Sequence, residues 1–190
     1  VLSGKTSWLT TKLHLRYLLK FNSCWVPDVS GVENLSGKLG HPEKIVEKIN
    51  YIGPLSRIEK KTLPIKYDIM VLLSGPEPQR TLLEKKLTKE LENSTKEILF
   101  VKGIVESQQQ IEKVNSITYY NFMNSEELST AFNESEFVVC RSGYTTVMDL
   151  AKLEKKAFFI PNPGQYEQEN ITKKKKTKDI KQNRKQKKIK

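Results

Sequence analysis

The sequence predicts an α/β fold, a mainly parallel sheet flanked by helices, and three observations carry that expectation. From residue 67 to 161, short apolar runs alternate with amphipathic stretches, the pattern of βαβ units joined by right-handed crossovers. The 190 residues suffice for one domain, or one domain and part of another, burying roughly two-thirds of the unfolded surface. The formal charge of +11 is concentrated at one end: residues 173–190 hold 11 Lys or Arg and one acid, leaving 22 basic and 21 acidic side chains over residues 1–172. The folded part is nearly neutral, so the bulk charge does not point to specific nucleic-acid binding.

From Trp8 to Lys20, the apolar residues Leu9, Leu13, Tyr17 and Leu18 recur at helical spacing. "SCWVPD" then reads as a short buried strand ended by Pro27. "GVENLSGKLGHPEK" is a turn-rich connector, and a domain boundary is expected near residues 30–56, dividing the chain into 1–49, 50–172 and 173–190. "YDIMVLLS" is the next strand, "RTLLEKKLTKEL" a helix with Leu83, Leu87 and Leu91 on one face, and "EILFVKG" a second strand. "SITYYNF" is a third strand, "SEELSTAFNES" a short helix, and "EFVVC" a fourth strand. "TTVMDLAKLEKK" is a helix with Val147, Leu150 and Ala151 on one face, and "KAFFIP" a fifth strand. The end, "TKKKKTKDIKQNRKQKKIK", has no apolar periodicity and nearly one sign of charge, so it is expected to be disordered.

Cys24 and Cys140 sit inside apolar runs, where Cys acts as a small hydrophobe, and a reduced, cytoplasmic protein is the simplest reading. No apolar run reaches the roughly 18 residues a membrane span needs. His14 and His41 are the only histidines, so no metal cluster is expected. "VLSGKTS" ends like a phosphate loop but lacks the upstream glycine and the preceding strand.

In parallel sheets, ligands bind at the carboxyl ends of the strands. The unusual loops lie there: Ser74 to Gln79, Phe122 to Ser125, Arg141 to Thr146, and Asn162 to Gln168. At "CRSGYTT" a strand ends, Gly143 permits a tight turn, and a helix begins beside the hydroxyls of Ser142, Thr145 and Thr146, a ready site for a diphosphate. Thr146 and Asp149 equally match a capping box, which would make them structural. One turn inside the helix, the Asp149 carboxylate would repel a diphosphate but suit a ribose diol. Glu77 and Glu167 read as solvated loop acids.

"VVCRSGYTTVMDLAKLEKKAFFIPNPGQYEQE" resembles the strand, Arg-Ser-Gly elbow, Thr-x-x-acid helix start, apolar strand ending in Pro, and Gln-containing loop of the carboxyl-terminal domain of family 28 glycosyltransferases. That group includes the N-acetylglucosaminyl transferase of lipid II synthesis. The resemblance covers roughly residues 50–170. It implies a Rossmann-like half of a two-domain GT-B enzyme that binds a UDP-sugar, UDP-N-acetylglucosamine, with no cofactor and no metal, and transfers the sugar with inversion.

By the same resemblance, Asp149 would hold the ribose diol, and Arg141, Ser142, Gly143 and Thr146 would lie at the donor site, the last three on the diphosphate side. Gln168 and Glu169 would meet sugar hydroxyls. "YIGPLSRI" is similar to the family's linker, making Arg57 a phosphate or nucleotide contact. Ser74 and Gly75 would lie near the diphosphate, and the backbone of Met123 against the uracil. Pro76 and Pro78 stiffen a loop that is glycine-rich in the family, and Glu169 replaces the second of its paired Gln, leaving the sugar open.

The chain begins at Val1 rather than Met, and residues 1–49 read as the remnant of an acceptor-side domain, so an incomplete, inactive enzyme is expected. The alternatives are a donor-binding subunit that needs a separate acceptor-domain chain, and a degenerate domain without ligand. The Lys-rich end breaks the pattern inside an element the fold needs, so it is expected to be an accidental terminus outside the donor fold, the alternative being a polybasic arm that meets an anionic membrane surface at the cytoplasmic face.

Overall fold

The structure is a computed structural model describing residues 12–14, 16–31, 34–37, 40–41 and 46–161. The expected tail at 173–190 lies outside the described residues. The chain divides into two compact units, one spanning Ser56–Asn162 and one holding the described residues up to Leu55.

In the first unit, residues 12–14 and 16–18 are helical, with Leu13, Tyr17 and Leu18 exposed. Strand β1 (Cys24–Val26) pairs in parallel with β2 (Ile49–Tyr51), a strand not foreseen from the sequence. The expected burial of β1 is corrected: Trp25 is 74% exposed, because a strand of three residues with a single partner strand covers little of its own side chains. The connector is more than a string of turns. It is organised by Asp28, fully buried, whose carboxylate accepts hydrogen bonds from the backbone N–H groups of Val29, Leu35 and Ser36, each at 2.8 Å, and from the Ser36 hydroxyl. The His41 ring stacks on Tyr51 at 4.5 Å.

The second unit is the expected α/β body. It contains β3 (Tyr67–Leu72), α1 (Gln79–Leu91), β4 (Ile98–Val101), β5 (Ile111–Val114), β6 (Ile117–Tyr120), α2 (Ser125–Asn133), β7 (Ser135–Arg141), α3 (Tyr144–Leu153) and β8 (Lys156–Ile160). The six strands form one sheet in the order β5-β6-β4-β3-β7-β8, parallel throughout except for the β5–β6 pair. β4 is buried along its whole length, as a central parallel strand must be. Leu83, Leu87 and Leu91 of α1 pack on Val71, Leu73, Ile98, Phe100, Ile117 and Tyr119, the core of one sheet face. Right-handed crossovers that run the other way along the sheet place α2 and α3 on the opposite face. There they bury Ala131, Phe132, Val147, Leu150 and Leu153.

β5 was absent from the sequence reading. All four of its residues are exposed, so it carries no alternation of polar and apolar residues. Its hairpin turn is marked by Asn115 at φ +54°, a left-handed conformation that Asn tolerates. The body starts at β3, moves outward through β4 to β6, then returns to β7 on the other side of β3. The strand order therefore reverses between β3 and β7, and a crevice opens at their carboxyl ends.

Candidate functional site

Helix α3 starts immediately beyond β7, and Gly143 is its N-cap. The glycine sits at φ −65° and ψ 137°, ordinary extended backbone, so no tight turn requires it. A Cβ built there would meet nothing within 4 Å, so the glycine leaves bare backbone facing open space. Gly143 has no side chain with which to cap the helix, and the first turn contains no acid. A helix start of this kind turns backbone N–H groups and the positive end of the helix dipole toward an anion. Ser142 behind this turn is fully buried.

The N-cap position corrects one expectation. With Gly143 as N-cap, Thr146 is the third helical residue, so Thr146 and Asp149 cannot form a capping box. The capping box is on α2 instead: the Asn124 Oδ1 accepts from the N–H groups of Glu126 and Glu127 at 2.9 and 3.0 Å, and Glu127 accepts from the Asn124 N–H at 2.8 Å. The run "NSEE" contains that signal, which the sequence reading missed.

Asp149 lines a cleft of about 170 Å³ between α2 and α3, together with Arg57, Ser125, Thr145 and Thr146. Leu72, Leu128 and Phe132 supply the apolar part of the wall. Ser125, Leu128 and Phe132 fall at i, i+3 and i+7, so one face of α2 is turned to the cleft. The half-buried Asp149 carboxylate makes no hydrogen bond or ion pair with a described residue. Pockets for drug-sized ligands run from about 300 Å³ upward, so this cleft fits one moiety, such as a ribose, rather than a whole nucleotide-sugar. It brings together three residues expected at the site, Arg57, Thr146 and Asp149.

The other expected residues are distributed around it. Ser74 and Gly75 follow β3 on the exposed loop to α1, with Gly75 at φ +108°. Met123 lines a different cavity of about 340 Å³ on the far side of α2, with Gln109, Ile111 and Tyr120, and stands two residues before Ser125 in the chain. Arg141 is 4% exposed and does not line the Asp149 cleft. Its guanidinium donates to the carbonyl oxygens of Pro161 at 3.0 Å and Gln79 at 3.1 Å, which ties the exit of β8 to the start of α1. Its Nε has no partner, and burial lowers its pKa. Gln168 and Glu169 lie outside the described residues.

Glu77 is an exposed loop acid, as expected, and it also pairs with Arg80. The hydrogen bond from Thr81, opposed by burial and reinforced by Arg80, holds its carboxyl below the usual carboxylate range. Arg80, 7% exposed, donates from Nε to Glu77 at 2.7 Å and from Nη1 to Glu84 at 2.8 Å and to the Lys102 carbonyl at 3.1 Å. Two carboxylates neutralise this cation beside the loop, and among the described residues that line the Asp149 cleft the cation is Arg57. Sequence reading missed the Arg80 cluster because i, i+4 pairing on an exposed helix looks like ordinary surface charge. Among the described residues, no group of three or more His, Cys, Asp or Glu could hold a metal. No helix among them is long and apolar enough to cross a membrane.

No curated protein and no solved structure matches the chain. The family model for the glycosyltransferase family 28 C-terminal domain matches residues 78–190, more than half of the sequence, and the matched segment includes the bare Gly143 elbow and Asp149. By this match the chain belongs to glycosyltransferase family 28 and carries that family's C-terminal, donor-binding domain.

Proposed function

We propose that the protein binds a UDP-sugar, UDP-N-acetylglucosamine, as the donor half of a metal-independent, inverting transferase similar to the N-acetylglucosaminyl transferase of lipid II synthesis. The observation that carries the reading is the cleft that Asp149, whose carboxylate has no partner among the described residues, lines together with the cation Arg57 at the start of α3. A carboxylate and an anion-binding helix start side by side suit a ligand that is a neutral diol at one end and a diphosphate at the other. Asp149 accepts hydrogen bonds from the two ribose hydroxyls. Thr146, the Ser142–Gly143 elbow and Arg57 face the diphosphate, with Ser74 and Gly75 across the crevice. The Met123 backbone borders the uracil, and Gln168 and Glu169 meet the sugar.

On transfer, negative charge builds on the leaving UDP. Preorganised N–H groups and a guanidinium stabilise that charge most in the transition state, so no divalent cation is needed. The acceptor and the general base come from a second domain facing this one, either in the same polypeptide or in a partner chain. The protein works in the cytoplasm, or peripherally at the cytoplasmic face of the membrane.

Calorimetric titration of the full chain with UDP, UDP-N-acetylglucosamine and UDP-glucose in EDTA tests the reading. Binding of UDP with tighter binding of the N-acetylglucosamine conjugate, and no sugar transfer by the chain alone, is the expected result. No heat at millimolar UDP would defeat the donor site, and transfer by the isolated chain would defeat the need for a second domain.

A further inference from the structure

Arg57 reaches the cleft from a strap, residues 56–61, that crosses helices α2 and α3 before β3 begins. The strap has no regular secondary structure, so something else must fix its path. Asn133, in the last turn of α2 and 3% exposed, spends its whole amide on this task and on its own helix. Its Oδ1 accepts from the Lys61 N–H at 2.8 Å, and its Nδ2 donates to the Glu59 carbonyl at 3.0 Å and to the Ser129 carbonyl at 2.8 Å. The side-chain amide thus pairs with the strap as a neighbouring strand would. On the other side of Arg57, Lys152 of α3 donates to the Ser56 carbonyl at 3.2 Å, and the Ser56 hydroxyl accepts from the Ile58 N–H at 3.0 Å. Ile58 itself is buried at 4% exposure.

Arg57 is therefore held between two ties while its own side chain is exposed at the mouth of the cleft. Neither Asn133 nor Lys152 lines that cleft. A long flexible cation loses less freedom on binding when its backbone is already fixed. We propose that Asn133 and Lys152 are positioning residues that hold the strap so that Arg57 faces the phosphates of the bound nucleotide. This rests on the reading of the cleft as a UDP-sugar site.

The test measures UDP and uridine affinity of the full chain by calorimetry, for the wild type and for Arg57→Ala, Asn133→Asp and Lys152→Met, alone and combined with Arg57→Ala. Arg57→Ala should weaken UDP at least about tenfold, the loss of a charge-assisted hydrogen bond, and leave uridine unchanged. Asn133→Asp and Lys152→Met should weaken UDP in the same selective way, and neither should weaken it further once Arg57 is absent, since residues acting through one partner are not additive. Equal loss of UDP and uridine affinity, or an undiminished loss in the Arg57→Ala background, would show that the ties serve the fold alone. Unchanged UDP affinity in Arg57→Ala would overturn the proposal and leave the donor site standing, whereas a wild type that binds no UDP removes the donor site itself. If Asn133→Asp does not fold, the exposed Lys152→Met carries the test.

Discussion

Replacing Asp149 by alanine separates a ligand-binding carboxylate from a structural one. Asp149 stands six residues beyond the Gly143 N-cap, past the first turn where the helix dipole acts strongly. It has no partner among the described residues, so truncation leaves no donor unsatisfied. Alanine is the better helix former by about 0.5 kcal/mol. The melting midpoint should therefore stay where it is or rise by about 1 to 2 °C for a chain of this size. Hydrogen bonds to a charged acceptor are worth about 1.5 to 3 kcal/mol, so UDP affinity should fall roughly 10- to 150-fold. Calorimetric titration gives the dissociation constant, and differential scanning calorimetry of the same preparation gives the midpoint. A midpoint lowered by several degrees with unchanged affinity among folded molecules would refute the reasoning, because it would place Asp149 in the fold and not in the site.

Other outcomes follow from single residues. Gly103 sits at φ +71°, and a Cβ there would collide with the Leu73 carbonyl oxygen; Gly103→Ala should cost at least about 2 kcal/mol, and an unchanged midpoint in urea would contradict this. Burial pushes the Cys140 thiol up to about 12, so with Ellman's reagent at pH 8 it should react only after unfolding, while half-buried Cys24 reacts in the native protein; rapid native reaction of both thiols would exclude this packing. Burial raises the Asp28 carboxyl, but hydrogen bonds from Ser36, Leu35 and Val29 outweigh it and set its pKa below the ordinary 3.8. A depressed carboxylate contributes stability that is complete above the unfolded value and is lost as pH falls through the folded one. Urea unfolding followed by tryptophan fluorescence should thus show a loss below about pH 3.8 that Asp28→Asn lacks, at the cost of lower stability at pH 7; parallel pH profiles would count against this role.

What the sequence determined by itself was the set of elements governed by local rules. The Leu83, Leu87 and Leu91 stripe and the apolar runs of β3, β4 and β7 obey helical and strand periods within a few residues, so α1 and the central parallel strands were legible. The elbow at Arg141–Gly143 was legible for the same reason, because a strand end, a glycine and a run of hydroxyls are neighbours in the chain. Tertiary structure decided whatever depended on distant partners. β5 is exposed on every residue and exists only because β6 offers it a ladder. The helix start at Gly143, one turn earlier than the Thr146 cap that the sequence suggested, removed the structural role from Asp149. Arg57 and Asp149 line one cleft only because the strand order reverses beside β3 and the strap is tied across both helices. Periodicity reports which face of an element is apolar, whereas the placing of a cation and a carboxylate from separate segments along one cleft depends on hydrogen bonds and packing that no local window contains.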